Sequence, residues 1–97
     1  MASYVVLINY TEQGVKDMKN FRARRDATRA ALQQAGGRLI SFYLTLGQYD
    51  AVAVIEVPDG TTAARVGLGI AALGNLRTAT MQAFTEDETI AITESLP

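Results

Sequence analysis

The chain of 97 residues contains neither cysteine nor histidine. Without cysteine there is no disulfide, no thiolate zinc or iron–sulfur site and no Cys nucleophile. Without histidine the usual general base, the usual haem ligand and the commonest transition-metal ligand are gone, and a Ser-His-Asp triad cannot be built. Long apolar runs are missing too. The longest continuous stretches are a few residues, well short of the roughly 20 needed to cross a bilayer, so no membrane association is expected. Strong charge of one sign is also absent, the formal net charge being -1. The start, Met1-Ala2-Ser3-Tyr4, has no basic n-region and no small-residue cleavage site, so the expected location is the cytoplasm. The Asn9-Tyr10-Thr11 sequon is then most simply a chance match.

What the chain does have is apolar content, 48% of its residues. A domain this small buries only part of its surface, so its stability calls for economical packing or for a partner subunit. We read residues 1–97 as one domain.

Tyr4 to Tyr10 is β-branched and aromatic and apolar on both faces, the pattern of a strand buried on both sides. Thr11-Glu12-Gln13-Gly14 supplies turn and cap chemistry. From Val15 to Ala35 apolar residues recur at three- and four-residue spacings, with a slip between Phe21 and Ala27 that predicts a short helix followed by a longer one. Gly36-Gly37 closes it as a C-terminal cap. Arg38 to Leu46 reads as a strand with Ile40, Phe42, Leu44 and Leu46 on one face and Ser41, Tyr43 and Thr45 on the other. Gly47-Gln48-Tyr49-Asp50 is the turn into a third strand, Ala51 to Val57, antiparallel to the second.

Thr61 to Leu73 predicts a second main helix, capped by Thr61 or Thr62 and ended by Gly74. Gly67 and Gly69 weaken its middle or else mark a close backbone approach. Leu76 to Phe84 reads as a fourth strand with Leu76, Thr78, Thr80, Gln82 and Phe84 on one face. Thr85 and Glu88 form a capping box for a short terminal helix. Strand, helix, strand, strand, helix, strand with right-handed crossovers gives an α+β, ferredoxin-like βαββαβ sandwich: a four-stranded antiparallel sheet with both helices on one face. The other sheet face has no cover within the chain and carries almost no Lys or Glu. A second copy packed sheet to sheet is the expected cover.

With Gly47-Gln48-Tyr49-Asp50 between two strands, the chain from Tyr4 to about Ile92 resembles the GYD-domain family of the dimeric α/β-barrel superfamily, the signature being matched in spaced form around Gln48. The stretch Gly47 to Gln82, including Leu73-Gly74-Asn75-Leu76-Arg77-Thr78-Ala79-Thr80, is also similar to the ligand-binding half of the leucine-responsive (Lrp/AsnC-type) regulators. The resemblance implies a homodimer whose facing sheets enclose a cavity. It implies no particular chemistry.

Candidate ligand-binding residues fall into two sets. The first is Gly47, Tyr49 and Asp50, where the carboxylate meets a ligand or, more plainly, braces a hairpin turn. The second is Tyr43, Ser41, Thr45, Thr78, Thr80 and Gln82, with Asn9 at the end of the first strand. Their hydroxyls and amides would orient a small molecule in an apolar inter-sheet space, or serve cross-strand hydrogen bonds. No catalytic residue is assigned and no cofactor or metal is expected. Six of the nine basic residues, Lys16, Lys19, Arg22, Arg24, Arg25 and Arg29, crowd into one helical region. Glu12, Asp17 and Asp26 dilute that patch and no aromatics interleave it, so it reads as a solvated helix face paired with the acidic tail, and nucleic acid is not expected as a partner. Gly67 to Ala72 fits a loose dinucleotide fingerprint but lies inside a helix, the wrong context.

The expected function is a small oligomeric binding or regulatory module with a site between facing sheets. The alternative is a cofactor-independent monooxygenase or isomerase of the same superfamily, using Tyr43, Tyr49, Asp50, Asn9 or an arginine.

Overall fold

The computed structural model describes residues 1–97. Strand β1 (Ala2–Tyr10) leads through a short helix α1 (Glu12–Lys16) and a 3-10 turn (Met18–Asn20) into α2 (Phe21–Gln34), then β2 (Arg38–Leu44) and β3 (Ala51–Val57). Helix α3 (Gly60–Ala71), β4 (Leu76–Ala83) and α4 (Glu86–Glu94) complete it. A short helix followed by a longer one is present as expected, but the break falls between Asp17 and Asn20, and the slip between Phe21 and Ala27 lies inside the continuous α2. The strands form one antiparallel sheet in the order β2-β3-β1-β4, the expected ferredoxin-like topology. No helix is long and apolar enough to cross a membrane.

Local chemistry explains the junctions. Thr11 caps α1 by accepting from the Gly14 N–H at 3.1 Å, and its hydroxyl donates to the Gly74 carbonyl at 2.6 Å. A Cβ on Gly14 would collide with the Asn75 carbonyl, so this crossing of α1 over the α3–β4 turn requires glycine. Helix α3 starts earlier than the threonines predict. Its cap is Asp59, whose carboxylate accepts from the Thr62 N–H and hydroxyl, both at 2.8 Å. The Thr85–Glu88 capping box of α4 is present as expected.

Pairing register sorts every strand residue onto a face. On the helix side, Leu39, Ile55, Tyr4 and Gln82 lie in one row across the sheet, and Phe42, Ala53, Val6 and Thr80 in the next. The core is built there from Tyr4, Ile55, Val57, Leu32 and Ala63, with Leu32 and Val57 fully buried. Burying a large apolar side chain such as these stabilises the fold by about 1.5–3 kcal/mol relative to exposure. The expected alternation in β2 does not hold throughout. A bulge between Leu39 and Ser41 inserts Ile40 without a partner, so Leu39 and Phe42 both pack on the core side. Strand β2 also ends at Leu44, leaving Leu46 fully in solvent.

Candidate functional site

The Gly47–Asp50 turn closes the β2–β3 hairpin. Gly47 has φ +119°, a conformation that favours glycine, and Thr45 braces the far side by donating its hydroxyl to the Tyr49 carbonyl at 2.6 Å. Asp50 extends the sheet ladder beyond its regular pairs. Its N–H donates to the Ile8 carbonyl at 2.8 Å, and its carboxylate accepts from the Tyr10 N–H at 2.9 Å. The side chain therefore stands in for a strand carbonyl at the end of β1, a charge-assisted bond that fixes the β1–β3 edge.

The open face of the sheet is apolar through its centre. Ser41, Val54, Val5 and Met81 form one row, and Tyr43, Val52, Leu7 and Ala79 the next. Arg38 and Glu56, bonded at 2.7 Å, stand at one end, and Asn9 with Arg77 at the other. Helix α4 follows β4 in a molecule that reaches 51 Å in its longest dimension, and nearly every residue from Phe84 onward is exposed. Its acidic residues make no ion pair with the basic helical region. Three of the six bases there pair locally instead: Lys16 with Glu12, Arg24 with Asp17 and Arg25 with Asp26.

Behind the sheet, α2 and α3 do not close fully. A cavity of about 120 Å³ lies between them and the four strands of the sheet, walled chiefly by apolar side chains such as Ile8, Leu39, Phe42 and Ile55. Arg24 holds its guanidinium carbon 5.9 Å from the centre of the Tyr10 ring, a cation–π contact at the cavity's polar end. Burial pushes the Tyr10 phenol up from its ordinary pKa; the Arg24 charge opposes this and the Asp50 carboxylate adds to it. The phenol is a neutral O–H donor at physiological pH.

The residues expected to bind a ligand do not gather in one place: Ser41 is on the open face and Gln82 on the helix side. Tyr43 and Asn9 lie on the open face, Tyr49 and Asp50 in the hairpin turn, and Thr78 and Thr80 on the helix side, where both line the cavity. The cause is register: Thr78 and Thr80 pair with Ile8 and Val6, and Tyr43 with Val52, on opposite faces of the sheet.

The fold and the signature turn agree with the comparison with known proteins. The GYD domain model matches residues 4–93. The chain belongs to the GYD domain family. A relative from Thermus thermophilus, described as a glutamine synthetase and cystathionine beta-lyase binding protein, is 32% identical over 92 residues, covering 94% of this chain and 97% of the relative. The crystal structure of TTHA0845 from the same organism is 26% identical with a TM-score of 0.54, covering 88% of this chain and 95% of that one. The crystal structure of FFRP-DM1 superposes with a TM-score of 0.62 at 15% identity, covering 87% of this chain and all of that one, and is similar in fold alone.

In this GYD domain, sequence reasoning passed over Tyr10, Arg24 and Thr28, all on the cavity wall. Tyr10 ends an apolar strand and Arg24 sits in a run of bases, so neither has a local signal. Gly67 and Gly69 did carry one. No heavy atom lies within 4 Å of where a Cβ would stand on either, so they do not mark a close backbone approach. They cost α3 about 1 kcal/mol each relative to alanine and leave open space beside it.

Proposed function

We propose that this GYD domain is a self-pairing binding module, in which two copies cover each other's open sheet face and together engage a protein partner. The observation that carries the reading is the pair of central rows on that face, from Ser41 to Met81 and from Tyr43 to Ala79, apolar across most of their width. A solvated sheet face alternates toward charge, and a contiguous apolar one marks an interaction surface. Identical faces are self-complementary about a two-fold axis. The relative described as binding two enzymes supports a protein as the wider partner. A non-catalytic role is supported by the dispersal of Tyr43, Asn9, Tyr49 and Asp50, and by the commitment of the Asp50 carboxylate to the Tyr10 N–H.

Size-exclusion chromatography with light scattering tests the pairing. The expected result is a dimer at micromolar concentration that Val54→Lys converts to a folded monomer; a wild-type monomer overturns it. Partner choice is tested by biolayer interferometry against purified glutamine synthetase and cystathionine beta-lyase. Binding lost in Val54→Lys supports a role for the paired form, and no binding to either enzyme removes those two as partners.

A further inference from the structure

The space between the helices and the sheet has no part in pairing through the open face. It adjoins a groove of about 330 Å³ between α2 and α3, Arg24, Thr28, Val66, Ile70 and Leu76 lining both. Protein interiors pack closely, and a void forfeits the dispersion contacts of its walls. An engineered apolar cavity of about 150 Å³ stays dry and admits benzene, so the inner chamber is of the size that holds one ring or a short branched chain.

Two features say what such an occupant would carry. The first is room kept in the wall. Gly67 lines the inner chamber and Gly69 the outer groove, each with open space where a side chain would fit, although alanine would favour the helix. The second is charge. Arg24 and Arg25 both line the chamber, and Arg24 is largely sheltered, its side chain 22% exposed. One of its terminal nitrogens bonds Asp17 at 3.3 Å, and the hydrogen bond of the other goes to the Met18 thioether, also at 3.3 Å. A thioether is a weak acceptor, so a sheltered guanidinium N–H is left without a strong one. A carboxylate oxygen would supply it, with the neutral Tyr10 phenol as a further donor lining the same chamber.

We propose that the crevice between α2, α3 and the sheet binds a small apolar carboxylic acid, its hydrocarbon part in the inner chamber and its carboxylate on Arg24. The site lies within one copy and stands whether or not the open faces pair.

Isothermal titration of the full chain at neutral pH with phenylacetate and with phenylacetamide, its uncharged counterpart, tests it. The acid is expected to bind at least about tenfold tighter than the amide. Arg24→Gln should erase that difference, weakening the acid far more than the amide. Gly67→Leu should abolish both, with Val66→Phe filling the same chamber if Gly67→Leu lacks native far-ultraviolet dichroism. Gly67→Ala should raise the melting temperature of the free protein. The Val54→Lys monomer should bind the acid like the wild type, which separates this site from sheet pairing. Equal affinity for acid and amide, dissociation constants above about 10 mM for both, unchanged binding in the filled variants, or loss of binding in Val54→Lys would each overturn the proposal.

Discussion

The two faces of the sheet are built from the same kinds of residue, and their burial differs sharply. In β3, Ala51, Ala53, Ile55 and Val57 on the helix side are all buried, whereas Val52 and Val54 between them are only half-buried. Valine on the open side and alanine at two of the covered positions run against the ordinary assignment of larger apolar residues to the core. Ala53, one of the small residues under α2 and α3, lines the crevice, whereas the bare side presents larger valines. Apolar content thus says that both faces seek cover, and side-chain size says what kind of cover each will accept.

Truncating the covered face should produce the largest change. Leu32 is 1% exposed and packs with Tyr4, Ile55 and Val57, so Leu32→Ala should cost about 3 kcal/mol by lost transfer energy and a residual void. Urea denaturation would measure this as a lower midpoint at unchanged slope. Val54→Lys on the bare face should behave differently. Its effect on a single copy should be small, and it should remove the dependence of melting temperature on protein concentration that a dimer confers. If both variants destabilise alike at every concentration, the distinction between the faces fails.

Next in size is the clasp that joins them at the end of β1. Asp50→Ala leaves the Tyr10 N–H without its acceptor, a loss of about 1–3 kcal/mol for a partly buried donor. Asp50→Asn keeps an acceptor and should recover most of it. If the alanine variant is as stable as the wild type, the signature carboxylate is not a brace and its role has to be sought in a ligand.

Most of the fold was legible in the sequence because strands and helices announce themselves by period and glycine punctuation. The paired glycines after Ala35, the turn at Gly47 and the capping box at Thr85 each stand where the structure uses them. The candidate sites were less legible, for a definite reason. Which residues of β2 and β4 share a face depends on a bulge at Ile40 and on pairing through two intervening strands, none of which is encoded locally. Tyr43 and Thr80 look alike as polar positions in apolar strands and are on opposite sides of the sheet. Arg24 looked like one more solvated base, and only the tertiary fold lays it over Tyr10.

Acid should expose the cap that starts α3, the helix bounding the crevice. Hydrogen bonds from the Thr62 N–H and hydroxyl hold the Asp59 carboxyl below its ordinary pKa of 3.8. A group depressed in the folded state contributes stability above its unfolded pKa and loses it as pH falls through the folded one. The melting temperature should therefore drop below about pH 4, and the drop should be shallower in Asp59→Asn, which caps without titrating. Parallel curves for the two proteins would mean that the carboxylate bonds contribute nothing.

The smallest effect on the body should come from α4, although the local effect there is complete. Thr85→Ala removes the side chain that accepts from the Glu88 N–H and leaves only the reciprocal bond from the backbone N–H of residue 85 to the Glu88 carboxylate. For a nine-residue helix exposed along its whole length, such a cap is worth about 1 kcal/mol and decides whether the helix persists. Far-ultraviolet dichroism should lose the signal of that segment while the melting temperature of the sheet and its helices stays put. That dissociation is expected because α4 lends nothing to the core and so cannot weaken it by melting. If the body's melting temperature falls with the helix, α4 is docked in solution, and the exposed Phe84, Ile90 and Ile92 are the side chains by which it would do so.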